Sequence, residues 1–245
     1  MSDRRLDILA FGAHPDDMEI ACGGLLLKMA RRDYRVAICD LTRGELASNG
    51  TPEIRQEEAA AAGQVLRLVQ RFNLGLPDGA LSADSPESLL ALVRLIRQQR
   101  PRMILCPHRE ARHPDHAATS ELVRRAQFFC GVQGFDRDTT SVIRPVLLQA
   151  LDYHPMPASF VVDITDELSD KMKAIRCYRS QFESVEGSTP TLLNDSHFLQ
   201  RIATNAATYG QEIGCAAGEP FRIEGAVPME DPLAILAAND REIRP

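Results

Sequence analysis

Short apolar runs and amphipathic stretches alternate along the first 130 residues of the chain. The apolar runs are four to seven residues long, which is typical of buried strands. The stretches between them repeat apolar residues at helical spacing, as at Met18, Ala21 and Leu25. Strands are predicted at 6–11, 35–41, 71–74 and 103–106, and helices at 16–32, 51–69, 85–100 and 114–129. This alternation predicts βαβ units and a parallel sheet.

The second half of the chain carries a weaker pattern. Strands are predicted at 146–151 and 159–163, helices at 165–179 and 199–209, and a polar loop near a site at 183–196. We therefore predict one domain over residues 1–245 with a Rossmann-like α/β fold, a mostly parallel sheet and helices on both of its faces. A TIM barrel would need eight regular βα units, which this half does not supply.

The composition excludes several classes of protein. Hydrophobic residues make up 44% of the 245 residues, which argues against a disordered chain. The net charge of −6 argues against a nucleic-acid-binding protein. No apolar run is long enough to span a bilayer and the first residues do not resemble a signal peptide, so we expect no membrane partner and a cytoplasmic location. The six cysteines form no C-x-x-C pair, and four of them lie among apolar neighbours, which predicts buried, reduced thiols. Disulfides in a secreted protein are the alternative.

Two strand-to-helix loops are dense in histidine and carboxylate. His14 and Asp17 lie three residues apart after the first strand, and His113 and His116 have the same spacing after the strand at 103–106. Side chains at this spacing at a helix start can face one point. In an open parallel sheet both loops lie at the carboxyl ends of the strands, where ligands bind. These residue types suit Zn²⁺ with one coordination position left open, so we predict an open metal site there.

Other interpretations of these loops remain open. Asp16 and Asp17 could have no role beyond capping a helix and compensating its dipole. His113 and His116 could be exposed surface residues. A nucleotide-binding module is an alternative class, although no G-x-G-x-x-G or Walker motif is present. A non-catalytic metal or sugar sensor is another, although a site of that kind needs no spare carboxylate such as Asp16 beside Asp17. The occurrence of similar motifs in two equivalent loops favours the metal site.

Several motifs resemble those of the PIG-L/LmbE-like zinc deacetylases, which remove the acetyl group from N-acetylglucosaminyl compounds. The shared motifs are Ala13-His14-Pro15-Asp16-Asp17-x-Glu19, Gly23-Gly24 and His113-Pro114-Asp115-His116. Further segments resemble the bacillithiol branch, the N-acetylglucosaminyl-malate deacetylases. These segments are Ala47-Ser48-Asn49-Gly50-Thr51, Asn73-Leu74-x-Leu76-Pro77-Asp78 and Tyr178-x-Ser180-Gln181-Phe182.

The resemblance implies roles for the residues of the two loops. His14, Asp17 and His116 would be the ligands of Zn²⁺, with Fe²⁺ as the alternative native metal. Asp16 would be the general base that activates water. His113 would be its electrophilic or acidic partner, and Asp115 would orient His113 and favour its imidazolium form. The amine would leave with a proton from Asp16 or from His113.

The resemblance also implies residues that bind substrate or support the site. Glu19, Asn49 and Arg55 are expected to contact the substrate. The Arg55 guanidinium suits a carboxylate such as malate, and a solvated helix charge is the alternative. Arg144 is expected to support the catalytic carboxylate. His197 lies near the position of a Tyr in the family's mobile loop and could take its role.

The expected activity is metal-dependent hydrolysis of the N-acetyl group of N-acetylglucosaminyl-malate in bacillithiol biosynthesis. The alternative is a zinc deacetylase or amidase on another amino-sugar conjugate, such as an inositol glycoside, a chitin fragment or a mycothiol-type conjugate. The expected partner is an anionic small molecule, with no nucleic acid and no membrane. The ring assemblies of the family imply a homo-oligomer such as a hexamer.

Overall fold

A seven-stranded sheet forms the centre of the computed structural model, which describes residues 5–139, 141–151, 156–225 and 230. The strands are β1 (Ile8–Gly12), β2 (Val36–Asp40), β3 (Gln70–Asn73), β4 (Met103–Pro107), β5 (Val146–Ala150), β6 (Phe160–Asp163) and β7 (Gly218–Ile223). Their order in the sheet is β3-β2-β1-β4-β5-β7-β6. The first five strands in this order are parallel, and β7 runs antiparallel to both of its neighbours. The predicted α/β fold with a mostly parallel sheet is confirmed.

Four helices connect the parallel strands, and three more lie between β6 and β7 in the described part of the chain. They are α1 (Asp17–Ala30), α2 (Pro52–Val65), α3 (Pro86–Gln99), α4 (Pro114–Cys130), α5 (Leu168–Arg176), α6 (Arg179–Phe182) and α7 (Phe198–Glu212). The start of α2 follows the sequence signal, because the Thr51 side chain accepts the Ile54 N–H and Pro52 occupies the first turn. The helix predicted at 165–179 is divided, ending at Arg176 before the short α6 begins.

Strand β7 was not predicted from the sequence. It contains Gly218 and Pro220, which are depleted in strands and interrupt the alternation of polar and apolar residues. It pairs with β5 on one side and β6 on the other. This antiparallel strand therefore joins β6 to the parallel part of the sheet.

Each face of the sheet packs against its own group of helices. In β1, Ile8 and Ala10 contribute to a core with α1 and α5, whereas Leu9 and Phe11 contribute to a core with α3 and α4. All four side chains are almost fully buried. Because both faces are covered, β1 is a continuous apolar run and does not alternate with polar residues.

The position of β1 in the sheet determines where a site can form. β1 pairs with β2 on one side and β4 on the other, so the connections leaving β1 and β4 diverge at their carboxyl ends. The loops from Gly12 to Asp17 and from Pro107 to Pro114 meet at this edge. The structure therefore brings both predicted metal-binding loops to the switch point of the sheet.

Helix α1 is interrupted at Cys22, whose φ of −146° and ψ of 20° are not helical. The N–H groups of Gly24 and Leu25 donate to the two carboxylate oxygens of Glu219 at 2.8 and 2.6 Å. Lys171 pairs with the same carboxylate at 2.7 Å. A β7 side chain thus caps the second part of α1 and satisfies backbone donors that the interruption exposes.

The described residues contain no helix that is long and apolar enough to cross a membrane. Four of the six cysteines are buried as expected from their apolar neighbours, and Cys177 and Cys215 are partly accessible.

Candidate metal centre

Asp17 lies between two histidine side chains from the two predicted loops. Its Oδ2 atom lies 3.6 Å from Nδ1 of His14 and accepts the His14 backbone N–H at 2.8 Å. Its Oδ1 atom lies 3.1 Å from Nε2 of His116. The residues that the resemblance implies as metal ligands are therefore neighbours, although His116 is far from the other two in sequence.

The third histidine of the two loops joins the same cluster. The His113 ring centroid lies 4.9 Å from that of His14 and 5.0 Å from that of His116. Nitrogen atoms of the three rings lie within 4.8 Å of one another. Imidazole and carboxylate donors at these distances form a set that suits Zn²⁺ and other divalent transition metals.

Sequence reasoning noted Asp78 only as part of a segment that resembles the malate branch and missed its position in the site. Its Oδ1 atom lies 2.9 Å from Nε2 of His14, and with Asp115 it forms a second group around that ring. The signal was available, because Asp78 follows β3, and the carboxyl ends of parallel strands meet at one edge. Sequence alone did not indicate that the loop after β3 would reach His14.

The charges around His14 favour a cation. Burial opposes the protonated ring, but hydrogen bonds to Asp17 and Asp78 outweigh it and raise the pKa of His14 to about 11. Burial likewise opposes the Asp17 carboxylate, while the neighbouring His116 and His14 hold its pKa well below the ordinary value. The buried carboxylates therefore favour a positive charge, which the proton on His14 supplies here. A divalent ion would supply that charge in place of the proton.

Asp16 occupies the turn before α1 in an unusual conformation. Its φ of 112° lies in a region that residues other than glycine rarely adopt. Asp16 occupies the N-cap position of α1, but its buried carboxylate makes no capping hydrogen bond, which contradicts a capping role for this side chain. Burial raises the pKa of Asp16 to about 7, and the nearby Arg55 opposes this shift. The turn therefore holds a carboxylate beside Asp17 without using it to stabilise the helix.

Arg55 is the buried counter-ion of Asp16. Its Nη2 atom lies 3.0 Å from Asp16 Oδ2 and also donates to the backbone carbonyl of Pro15. The side chain is 5% exposed, which contradicts the interpretation of a solvated helix charge. Arg55 also lines the cavity, and its Nε atom has no hydrogen-bond partner among the described residues, so the contact with a malate carboxylate stays a prediction.

The expected contact between the carboxylate of Asp115 and His113 is not found. Asp115 Oδ2 accepts the Gly79 N–H at 2.8 Å and lies 3.4 Å from Nε2 of His14. It is the backbone N–H of Asp115 that donates to Nδ1 of His113, at 3.2 Å. Burial and the neighbouring His14 and His116 lower the pKa of His113, so the expected imidazolium form is not favoured. His113 is oriented as the N-cap of α4, with Nε2 left for other partners.

A cavity of about 340 Å³ opens beside the cluster, a size that suits part of a small-molecule ligand. Its polar lining includes the three clustered histidines, Asp16, Asp17 and Asp78. Leu46, Leu192 and Leu193 contribute apolar surface on another side. The predicted loop at 183–196 therefore does border the site, through residues 191–193.

Two predicted substrate contacts are used elsewhere. Glu19 is fully buried and accepts hydrogen bonds from Arg71 at 2.5 Å and from the Tyr178 hydroxyl at 3.0 Å, and it does not line the cavity. The Asn49 side chain donates to the Thr189 carbonyl and accepts the Thr189 N–H. Asn49 therefore ties the loop before α2 to the loop at 183–196, and Glu19 belongs to a buried network beneath the site.

Two further predicted residues do not line the cavity. Arg144 is exposed just before the amino end of β5 and packs against Gly131, so it lies at the opposite edge of the sheet and does not support Asp16. His197 is exposed at the start of α7 and does not line the cavity. In both cases the position of the residue relative to a sequence motif did not indicate where its side chain lies in the folded protein.

The sequence matches known proteins over most of its length. Residues 9–127 match the family model described as PIG-L, GlcNAc-PI de-N-acetylase, and this range contains both predicted metal-binding loops. A crystal structure of a conserved protein from Thermus thermophilus is 34% identical, with a TM-score of 0.83, and the match covers 91% of this chain and 97% of that one. The chain belongs to the PIG-L family of deacetylases.

Named relatives of this PIG-L family member act on different sugars. The diacetylchitobiose deacetylase of Thermococcus kodakarensis is 29% identical over 71% of this chain and 70% of that protein. A Bacillus subtilis protein named "Probable N-acetyl-alpha-D-glucosaminyl L-malate deacetylase 2" is 26% identical over 73% of this chain and 84% of that protein. The similarity to the malate branch is thus no greater than the similarity to the chitobiose enzyme.

Proposed function

We propose that this protein hydrolyses the acetamide group of an N-acetylglucosaminyl conjugate with a divalent metal held by His14, Asp17 and His116. The observation that carries the proposal is the Asp17 carboxylate between the two histidines, with the spare carboxylate of Asp16 next to it in the chain. A structural metal site has no use for such a group, whereas hydrolysis of an amide requires one.

The metal fits the donor set because imidazole and carboxylate oxygen are ligands of Zn²⁺ and of Fe²⁺. When bound, such an ion supplies a Lewis acid for the acetyl carbonyl and makes water a better nucleophile at neutral pH. The family description and the carboxylate-rich surroundings of His14 support a divalent cation at this position. The cavity gives an acetamide access to the cluster.

Asp16 acts as the general base. It takes a proton from the attacking water, while Arg55 keeps the carboxylate in its charged form before the reaction. The strained turn at Asp16 holds its carboxylate in the cavity wall and away from the backbone donors of α1.

His113 acts on the carbonyl or on the leaving amine. Its Nδ1 accepts the Asp115 N–H, so the neutral ring carries its proton on Nε2 and can donate it to an oxygen in the cavity. Asp16, once protonated, returns the proton to the amine, so that the amine and acetate leave as separate products.

For the conjugate, we propose N-acetylglucosaminyl-malate, the substrate class that places the enzyme in bacillithiol biosynthesis. Arg55 is paired with Asp16, and Arg112 supplies a second guanidinium at the same cavity for the anionic group. Diacetylchitobiose is the second candidate, favoured by the apolar cavity wall and by the 29% identical relative.

The deciding experiment measures acetate released by metal-loaded protein from N-acetylglucosaminyl-malate, diacetylchitobiose and an N-acetylglucosaminyl inositol. We expect release that stops after chelation and returns with Zn²⁺ or Fe²⁺. A protein with one bound metal per chain that releases no acetate from any of the three compounds would contradict deacetylation of this substrate class. Faster turnover of diacetylchitobiose than of the malate conjugate would reject the malate assignment alone.

A further inference from the structure

The His14 ring is held from two sides by different carboxylates. Nε2 lies 2.9 Å from Oδ1 of Asp78, and Nδ1 lies 3.6 Å from Oδ2 of Asp17. We propose that Asp78 is a positioning residue that fixes the orientation and tautomer of His14, leaving Nδ1 free to bind a metal ion. The inference rests on the proposed function in one respect, because it takes His14 as a metal ligand.

The donor and acceptor chemistry of the pair determines the tautomer. An ionised carboxylate can only accept hydrogen bonds, so a neutral His14 must carry its proton on the nitrogen that faces Asp78. The lone pair is then on Nδ1, which faces Asp17, and Asp17 in turn contacts His116. A carboxylate that holds the far nitrogen of a metal-binding histidine also makes that histidine a more basic ligand.

Asp78 is itself held firmly enough to orient a ring. Its side chain is 6% exposed, and its Oδ2 atom accepts the Leu46 N–H at 2.9 Å. Its own backbone N–H donates to Glu45 at 2.9 Å. Asp115 also approaches Nε2 of His14, but at the longer distance of 3.4 Å. Asp78 therefore makes the shorter contact with the ring, and the Leu46 N–H holds its carboxylate in place.

The variant Asp78→Asn tests the inference with almost no change in shape. The amide oxygen is expected to remain with the Leu46 N–H, because that group can only donate. The amide NH₂ then faces Nε2 of His14 and favours the tautomer with the proton on Nδ1. We expect Zn²⁺ affinity, measured by competition with a chromophoric chelator, to fall by about 10- to 100-fold. The visible absorption of the Co²⁺-loaded protein should change as well, because it reports on the ligands of the ion.

Glu45→Ala is the matched control. It removes the acceptor that holds the Asp78 backbone N–H but leaves the carboxylate that faces His14. Because Glu45 is exposed, we expect Zn²⁺ affinity within about threefold of the wild-type value. Wild-type affinity and an unchanged Co²⁺ spectrum in Asp78→Asn would overturn the inference. So would an equal loss in Glu45→Ala, since the fold of the turn would then be the cause.

The metal measurements separate this inference from the deacetylase proposal. Weaker metal binding in Asp78→Asn supports the positioning role even if the wild-type protein releases no acetate. Conversely, an active wild-type deacetylase whose metal affinity does not respond to Asp78→Asn retains the proposed function and loses only the role of Asp78.

Discussion

Arg55 donates from Nη2 to Oδ2 of Asp16 across 3.0 Å, although 39 residues separate the two in sequence. Both side chains are 5% exposed, so this is a buried ion pair. Sequence reasoning assigned the guanidinium to substrate and the carboxylate to catalysis. Their pairing predicts that Arg55 affects the proton transfer itself more than the binding of the conjugate.

Arg55→Met should lower kcat at pH 7 by about 10- to 100-fold and change KM less, as expected for a shift of one or two pKa units. Arg55 lowers the pKa of Asp16, so its removal raises that pKa and leaves less of the charged base. The acidic limb of the kcat profile should therefore move to higher pH. Steady-state kinetics on the preferred conjugate between pH 6 and 10 tests this. The control is Arg144→Met, because Arg144 lies at the opposite edge of the sheet; this variant should leave kcat and KM unchanged. A raised KM with unchanged kcat in Arg55→Met would restore the predicted substrate contact.

Metal binding and proton transfer should separate in a pair of variants. His116→Ala removes an imidazole that contacts Asp17 and should lose both metal and activity. Asp16→Asn should keep the metal while kcat falls by about 10²- to 10⁴-fold, because the ligand cluster stays intact and the base is lost. Elemental analysis after gel filtration, together with acetate release, gives both quantities. Full metal content in His116→Ala, or normal turnover in Asp16→Asn, would refute the corresponding role.

The two adjacent glycines of α1 should respond differently to alanine. A Cβ at Gly24 would lie 2.8 Å from Ile164 and 2.9 Å from Glu219 Oε1, whereas a Cβ at Gly23 would meet Lys171 only at 3.4 Å. Gly24→Ala should lower the free energy of unfolding by about 1–3 kcal/mol through overpacking. Gly23→Ala should be neutral or slightly stabilising, since alanine favours the helix. Urea unfolding followed by circular dichroism compares the two, and equal effects would show that the Glu219 contact does not constrain α1.

Acid should weaken the contact between Arg94 and Asp136. Two hydrogen bonds from Arg94, at 3.0 and 3.1 Å, lower the pKa of Asp136 from 3.8 to about 2. A carboxylate whose pKa is lowered in the folded state contributes its full stabilisation when the pH is above its pKa in the unfolded state. This stabilisation is lost as the pH falls through the pKa of the folded state. Asp136→Asn should therefore lower Tm at pH 7. The difference in Tm between the variant and the wild-type protein should become smaller as the pH falls from 4 to 2. Thermal unfolding across this range measures the difference, and a constant gap would contradict the assignment.

The sequence by itself determined the parallel part of the sheet and the location of the candidate metal centre. Apolar runs and helical spacing are local properties, so the first four strands and their helices followed from them. Parallel strands place their carboxyl ends at one edge, so the loops of His14 and His113 were expected to meet. The family resemblance supplied the expectation that Asp17 is a metal ligand and that the neighbouring Asp16 is the base.

Only the tertiary structure decided which side chains serve the site from a distance. Asp78 reaches His14 across 64 residues, and Arg55 is buried in an ion pair with Asp16. Strand β7 enters the sheet between β5 and β6 despite its glycine and proline. Such contacts depend on the positions of separate loops in the folded protein, and the local periodicity of the chain does not specify those positions. A long-range ion pair or hydrogen bond therefore becomes visible only when the elements are packed.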